Sequence, residues 1–194
     1  MAAVCTDLTR LKAWMGVTDT TIDGQLQTII DGVDRAFETY LARPLVVTRR
    51  TEVIPRIRHL QRVVTMRTAP IATVISVRLD LTRVFTDTPM DASDYVVLAA
   101  EGQIYFDAPL PDGIGVLQVV YDAGMGADVT DLVTRYPDIH RLAQVQCQFE
   151  YQRRKTPGTT NEVAQGGTKT FSGPMKLLDA VIEGLTPYRR RRLD

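Results

Sequence analysis

The chain has 194 residues, with 23 Lys or Arg against 23 Asp or Glu, so its formal net charge is zero. Its apolar fraction of 44% suffices for an ordinary hydrophobic core, and the length suits one domain with appendages or two very small domains. No apolar run is long enough to cross a membrane, and the first residues, MAAVCTDLTR, lack the apolar segment of a signal peptide. These features exclude a membrane-spanning class and predict a cytosolic protein.

The charges are segregated along the chain. Residues 61–140 carry five arginines against eleven acids, a balance of −6, whereas residues 141–194 carry ten Lys or Arg against five acids, a balance of +5. Opposite charges on one chain can attract each other between copies. The pattern therefore predicts association rather than a fold.

Two helices are predicted near the N-terminus. The first spans 7–15, with Thr6 as its cap and Gly16 as its left-handed end. The second spans 20–42, where Asp19 or Thr20 is expected to cap its start and Pro44 to stop it. Its apolar side chains recur with a 3.6-residue period and form one stripe: Ile22, Leu26, Ile29, Ile30, Val33, Phe37, Tyr40 and Leu41.

Residues 45–121 have a β pattern. The predicted strands are rich in β-branched residues or alternate apolar with polar side chains, and they lie at 45–54, 63–66, 73–79, 95–99, 103–106 and 116–121. The turn Ala100-Glu101-Gly102 predicts a hairpin. We expect an antiparallel meander or a small sandwich inserted between helices.

The C-terminal third begins with a short helix or loop at 128–136 and a helix at 137–155, which has Pro137 in its first turn. Residues 156–173 are poor in apolar side chains and predict an extended or disordered arm. A last short helix is expected at 174–185, opened by Pro174. The predicted fold class is α+β: a helical core of one long helix and shorter packed helices, an inserted antiparallel β module, and an extended C-terminal arm that ends in a short helix.

No motif predicts an enzyme, a cofactor or a metal site. The run Gly166–Thr170 lacks the adjacent Gly-Lys of a phosphate loop, and Gly124-Met125-Gly126 lacks the parallel strand of a dinucleotide fold. His59 and His140 have no nucleophile or further ligands in a recognisable motif. An acid pair assembled in space stays open as an enzymatic alternative.

Two cysteines, Cys5 and Cys147, lie far apart with no Cys or His at metal-ligand spacing. This pattern favours two buried or half-buried thiols over a disulfide framework.

The run Arg189–Arg192 is the strongest local charge feature. It is typical of a solvated or helix-terminal charge run, of non-specific phosphate contacts with nucleic acid, or of docking to an acidic protein. A non-specific nucleic-acid-binding module that uses this Arg-rich C-terminus is therefore an alternative function.

Several short motifs follow one another in a familiar order. Leu11-Lys12 is followed by a Thr18-Asp19 loop, and the long helix ends in Tyr-Leu-Ala-Arg-Pro-Leu at 40–45. Ala69-Pro70-Ile71 precedes a strand, Tyr-Asp-Ala-Gly at 121–124 precedes a helix, and the chain closes with Leu-Thr-Pro-Tyr-Arg-Arg at 185–190. This layout resembles the tailed-phage head–tail connector (adaptor) proteins and is similar to the gp6-like connector of HK97-type phages.

The resemblance implies a structural, non-enzymatic protein of the virion neck that is made in the host cytoplasm. Its partners would be further copies of itself in a ring, typically of twelve subunits, then the portal protein and a stopper or tail-completion protein, with no membrane. Double-stranded DNA would pass through the lumen of the ring. A connector domain at 1–155 would carry helices 7–42 and 137–155 and the β module 45–121, and an arm at 156–194 would carry helix 174–185 and the basic tail.

Two sets of candidate binding residues follow. The set expected to bind the portal or a neighbouring subunit is Phe171, Leu177, Leu178, Val181, Ile182, Leu185, Tyr188, Arg189, Arg190, Arg191 and Arg192. The set expected on a lumen-facing or inter-subunit acidic face of the long helix is Asp23, Asp31, Asp34 and Glu38. Acids that face a channel would repel passing DNA.

Overall fold

A computed structural model describes residues 5–155, 161–164, 167–170 and 176–190. The chain divides into a helical unit, Met1–Ala42 with Asp128–Asp194, and a β unit, Arg43–Ala127. Helices and antiparallel sheets are both present, so the predicted α+β class is confirmed. The boundary expected between a connector domain and an arm at residue 155 stays a prediction.

The helical unit contains five α-helices in the described part of the chain: α1 Leu8–Met15, α2 Asp23–Leu41, α3 Val129–Arg135, α4 Pro137–Lys155 and α5 Asp179–Leu185. The apolar stripe predicted for the long helix is buried in α2, where Leu26, Ile29, Ile30, Val33, Phe37 and Leu41 have no exposed surface. Helix α4 has the predicted bounds. The segment predicted as short helix or loop forms α3.

Helix α1 is capped by Asp7 and not by Thr6. The Asp7 carboxylate accepts a hydrogen bond from the backbone N–H of Arg10 at 2.8 Å, and Asp7 itself has extended backbone angles. A carboxylate reaches the first-turn amides as well as a hydroxyl does, and its charge also suits the positive helix end. Gly16 ends the helix with φ 65°, as predicted.

Helix α2 starts three residues later than predicted. The Asp19 carboxylate accepts from the Thr21 N–H at 2.8 Å and from the Thr21 hydroxyl at 2.7 Å, so it closes a local turn instead of capping the helix. Ile22 is the N-cap and makes no side-chain cap bond. Asp23 in the first turn supplies the negative charge that the helix N-terminus favours.

The β unit contains two three-stranded antiparallel sheets, built from β1 Thr48–Ile54, β2 Val63–Thr65, β3 Ile71–Leu79, β4 Tyr95–Leu98, β5 Gln103–Phe106 and β6 Leu117–Ala123. Their strand orders are β1-β6-β3 and β2-β5-β4, so the meander alternative is wrong. Side chains from both sheets, among them Val64, Ile104 and Val119, join one buried cluster, as in a small sandwich. The predicted β4–β5 hairpin is confirmed.

Strand β6 decides this topology. Its residues alternate strictly between buried and half-buried, with Leu117, Val119, Tyr121 and Ala123 on the core side. Such alternation is typical of an antiparallel strand with one face on the core. The strand pairings place β6 between β1 and β3, which are distant from it in sequence.

A two-stranded ribbon lies within the segment predicted as an extended or disordered arm. Strand β7, Asn161–Ala164, pairs antiparallel with β8, Gly167–Thr170. The Val and Thr content of this stretch favours strands, and the low apolar content on which the prediction rested does not oppose a hairpin. Residues 156–160 and 171–175, with Pro174, lie outside the described residues.

The loop after β3 is organised by one buried carboxylate. Asp80, 4% exposed, accepts hydrogen bonds from the Thr82 hydroxyl at 2.6 Å and from the backbone N–H groups of Thr82, Val84 and Phe85 at 2.7–2.9 Å. These bonds hold Phe85 at φ 57°, a left-handed conformation that β-carbons disfavour. Donation to the charged oxygens lowers the pKa of Asp80 to about 2.

We predict that Asp80→Asn loosens this loop, because an amide accepts fewer of the four bonds. The pKa of Asp80 is lower in the folded chain than the value of about 3.9 in unfolded chains, so its contribution to stability is fully present above about pH 4 and is lost as the pH falls towards 2. The urea midpoints of wild type and variant should therefore differ at pH 7 and converge in acid. Amide exchange at Val84 and Phe85 should be faster in the variant; equal exchange rates would contradict this account.

Candidate binding surfaces

The apolar face of α5 is turned into the helical unit. Val181 and Leu185 have no exposed surface, and Ile182 is half-buried. A β-carbon placed on Gly184 would lie 2.8 Å from a methyl carbon of Leu142 in α4, so the two helices approach closely. Two residues of the predicted portal-binding set, Val181 and Leu185, are therefore buried within the helical unit.

A buried glutamine fixes the segment that leads into α5. The Gln146 side chain, fully buried in α4, accepts from the Leu178 N–H at 3.0 Å and donates to the Lys176 carbonyl at 3.2 Å. These bonds hold Leu178 extended, at ψ 145°, which is why α5 starts at Asp179 and not at 174 as predicted. Sequence reasoning did not single out Gln146. Its only signal was a polar side chain at an apolar position.

The end of α2 meets the end of the described chain. The Tyr40 hydroxyl forms a hydrogen bond with the Thr186 hydroxyl at 2.9 Å. The Arg189 guanidinium lies 5.3 Å from the centroid of the Tyr40 ring, and the Arg190 N–H donates to the Leu41 carbonyl at 3.0 Å. The motifs at 40–45 and 185–190, read separately in the sequence, thus touch in the helical unit through these residues.

Tyr188 packs against the start of α4. Its ring meets the Tyr136 ring edge-on, with centroids 5.7 Å apart, and its hydroxyl donates to the Asp138 carboxylate at 3.3 Å. Partial burial, and then the Asp138 charge, raises the pKa of Tyr188. The predicted residues Tyr188, Arg189 and Arg190 are therefore partly engaged within the chain. Phe171, Arg191 and Arg192 lie outside the described residues.

The predicted acidic face of α2 is only partly a surface. Asp23 forms an ion pair with Lys12 at 2.7 Å, and Asp31 accepts from the Gln27 amide at 2.9 Å. Both carboxylates and Glu38 are half-buried. Their assignment to a lumen or an inter-subunit contact stays a prediction.

Asp34 does not belong to that face. It is 7% exposed, and its carboxylate accepts from the Cys5 N–H at 3.0 Å. The helical period put Asp34 beside the other acids, but the N-terminal segment covers it. Its charge anchors that segment inside the protein.

Both cysteines are buried, as predicted. Burial, and then the charge of Asp34, raises the pKa of the Cys5 thiol, and the same two causes raise the pKa of Cys147. Such thiols stay protonated at neutral pH and are poor nucleophiles.

His140 positions the same N-terminal segment. Its Nδ1 lies 2.7 Å from the Cys5 carbonyl oxygen, so it donates to that oxygen. Among the described residues, no group of three or more His, Cys, Asp or Glu is arranged to hold a metal ion. In the same residues, no helix is long and apolar enough to cross a membrane.

Comparison with known proteins finds a family match and similar solved structures. Residues 5–69, about a third of the chain, match the family model described as phage gp6-like head-tail connector protein. The resemblance to gp6-like head–tail connectors is confirmed. The gp6-like match covers α1, α2 and the motif at 40–45, and it ends at Ala69 before β3. A comparison with curated proteins finds no match.

Solved structures extend the likeness over the whole chain. A chain in the neck of an empty GTA particle, computed with C6 symmetry, is similar at a TM-score of 0.62 and 19% identity, covering 100% of this chain and 95% of that one. A chain in the virion of a native gene transfer agent (GTA) particle gives 0.61 and 18%, covering 98% and 92%. A chain in the neck of a native GTA particle, computed with C12 symmetry, gives 0.59 and 19%, covering 100% and 94%. At these identities the likeness describes the fold.

Proposed function

We propose that this protein is a structural subunit of a virion neck, where copies form a ring that joins the capsid portal to a stopper or tail protein and lets DNA pass. The observation that carries this proposal is the end-to-end likeness to neck chains, covering 100% of this chain and 95% of the first neck chain. The role that we propose is structural and non-catalytic.

Ring formation is the first part of the proposal. Two of the similar neck structures were computed with C6 or C12 symmetry, and such rings join two different surfaces of each subunit. We propose a dodecamer for this chain. The half-buried acids Asp23, Asp31 and Glu38 are proposed to face the lumen or a neighbouring subunit.

Portal binding is the second part, and we assign it to the β7–β8 ribbon and the arginine tail. Two paired strands of four residues are marginally stable in water unless another surface supports them. A ribbon of this kind is suited to adding onto a partner. Helix α5, in contrast, already has its apolar face buried in the subunit.

We predict that deleting residues 161–170 leaves a folded subunit that no longer joins portal-bearing capsids. Residues 156–160 and 171–175 would then link Lys155 to Lys176. Lys176 is bonded to Gln146, nine residues or about 14 Å back along α4, and ten residues can span up to roughly 33 Å. Binding to purified portal-bearing capsids would be measured by co-sedimentation, and the completed particles would be counted by microscopy.

The matched control replaces residues 161–170 with ten Gly and Ser residues, which keep the length and remove the strand propensity. It should fold and fail to bind, as the deletion does. Normal joining of capsids by either variant would contradict the role given to the ribbon. Failure of the wild-type protein to bind portal-bearing capsids would contradict the proposed function itself.

A further inference from the structure

The β unit divides into two oppositely charged halves. Residues 43–83 contain nine arginines and two acids, whereas residues 84–127 contain seven acids and no Lys or Arg. Because the halves lie within one unit, their placement on the two sheets decides whether they neutralise each other or face opposite ways.

The arginines gather along the edge strands β1 and β2. Residues 48–67, which span both strands and their connection, carry six exposed arginines and one acid: Arg49, Arg50, Arg56, Arg58, Arg62 and Arg67 against Glu52. The two strands lie at the same side of the unit, since the Glu52 carboxylate of β1 accepts from the Arg67 N–H just after β2 at 3.0 Å. We call this surface the basic side.

The acids gather at the opposite edge strands, β3 and β4. Residues 87–101, which lead into and out of β4, carry four exposed acids and no Lys or Arg: Asp87, Asp91, Asp94 and Glu101. This segment lies along β3, since the Met90 N–H donates to the Val77 carbonyl at 2.8 Å and the Ile71 N–H donates to the Ala99 carbonyl at 2.9 Å. We call this surface the acidic side.

Central strands separate the two sides. Strand β6 stands between β1 and β3, and β5 stands between β2 and β4. Among the described residues, Arg58 and Arg62 on the basic side form no ion pair, and Asp94 and Glu101 on the acidic side form none. Arg49 and Arg67 are paired with Asp122 and Glu52, and Arg78 and Arg83 lie on or just after β3. These contacts reduce the net charge of each side but do not cancel it.

We propose that the basic side of one copy binds the acidic side of the next copy, and that this contact forms the ring. The inference rests on the proposed function, which requires a ring but does not name the surfaces. A contact between two different surfaces propagates head to tail and closes when the rotation permits. Complementary charge favours this pairing and disfavours contact between like sides.

The ends of the strands match in direction. Arg62 and Arg67 flank β2, while Asp94 and Glu101 flank β4. Both strands run antiparallel to β5, so they run parallel to each other. In a ring of many subunits neighbouring copies differ by a small rotation. Arg62 of one copy then lies towards Asp94 of the next, and Arg67 towards Glu101.

Apolar side chains complete both sides. Val53 on β1 is 40% exposed, and on the acidic side Ile75 of β3 and Val96 of β4 are 46% and 58% exposed. Aliphatic contacts at the centre with charges around them are the usual composition of a protein interface. The partner that fits this surface is therefore a second copy of the chain.

The test reverses the charge of two residues on one side at a time. The basic-side variant carries Arg58→Glu and Arg62→Glu, and the acidic-side variant carries Asp94→Arg and Glu101→Arg. Each should raise the protein concentration at half-assembly by at least about tenfold, measured by mass photometry and sedimentation. Controls with equal charge changes lie outside the β unit at exposed positions: Arg141→Glu with Arg154→Glu on α4, and Asp179→Arg with Glu183→Arg on α5. They should assemble as wild type does.

Mixing the two variants gives the decisive result. The exchange reverses both members of the proposed contact between positions 62 and 94, so the substituted position 62 of one variant attracts the substituted position 94 of the other. The two unaltered sides also attract each other. Equal amounts of the two variants should therefore assemble into rings in which they alternate, although neither assembles alone. A chain carrying all four substitutions should also regain assembly, which excludes misfolding as the cause of the single-side losses.

Normal assembly of either single-side variant, or failure of the folded variants to assemble when mixed, would overturn the inference. Rings of wild-type protein would still support the proposed function in that case. A wild-type protein that stays monomeric at every concentration would contradict the inferred attraction between copies. The capsid-binding experiment tests the proposed function independently.

Discussion

Replacing Gly124 with alanine should cost at least about 3 kcal/mol of the free energy of unfolding, or prevent the β unit from folding. A β-carbon at this position would lie 2.4 Å from the Val47 nitrogen and 2.5 Å from the Val46 carbonyl carbon and oxygen. These are backbone atoms, so no side-chain rotation relieves the overlap. The segment is also held in place, since the Val47 N–H donates to the Gly126 carbonyl at 2.9 Å and the Gly124 N–H donates to the Pro70 carbonyl at 3.0 Å.

The matched control is Gly24→Ala in α2. A β-carbon there meets no atom within 4 Å, and the residue is exposed. Alanine is a better helix former than glycine, so the control should gain up to about 1 kcal/mol. Urea unfolding followed by circular dichroism measures both changes. Similar midpoints for the two variants would contradict the close approach at Gly124.

Gly124 also illustrates where sequence reasoning stops. The sequence marks it as a break after a strand, within Tyr-Asp-Ala-Gly, and that much agrees with its position just after β6. Val46 and Val47, which precede β1, lie against Gly124. They do so because the first and last segments of the β unit pair with each other. No local pattern encodes that approach, because the two segments are more than 75 residues apart.

Helices with a strong hydrophobic period were predictable from the sequence, but the residues at which they begin and end were less so. The stripe from Leu26 to Leu41 requires a helix, because only that period places all its apolar groups on one face. Its first residue was missed because Asp19 bonds to Thr21 instead of to the helix. Competing acceptors within three residues differ little in energy, so sequence alone does not rank them.

The binding surfaces were harder to predict than the fold. Helical spacing grouped Asp34 with the exposed acids, yet the bond to Cys5 places it inside. A short amphipathic helix after a polar segment has to pack on its own domain or on a neighbour, and the close approach of Gly184 to Leu142 shows that α5 packs on α4. In both positions the local pattern shows which face is apolar or charged, but a long-range contact decides what covers it.

The distribution of charge along the chain was visible in the sequence, but its placement on the surface was not. The sequence showed an acidic middle and a basic end and predicted association between copies. The structure points to a different division, because the six arginines at 49–67 and the four acids at 87–101 lie on opposite sides of one β unit. The division at residue 84 falls inside the stretch 61–140 that was predicted to be acidic. The charge balance over 61–140 therefore combined residues from both sides of the β unit. Sheet order, which places β6 and β5 between the edges, was needed to separate them.

The second large effect is expected at Val181. Val181→Asp should cost at least about 4 kcal/mol of the free energy of unfolding of the helical unit, because the site has no exposed surface and an aspartate there would be an unpaired buried charge. The control is Ala180→Asp, one residue earlier and exposed, where an acid in the first turn suits the helix N-terminus. That variant should stay within about 0.5 kcal/mol of wild type in urea unfolding.

This pair separates the two roles considered for α5. If the helix is part of the subunit core, Val181→Asp lowers the urea midpoint, and any loss of capsid binding follows from that loss of structure. If the helix instead grips the portal, Val181→Asp leaves the midpoint unchanged and abolishes binding alone. The contact between Gly184 and Leu142 and the bonds of Gln146 to the segment before α5 favour the first outcome. The ribbon at 161–170 and the arginine tail then remain as the parts that we propose to bind the portal.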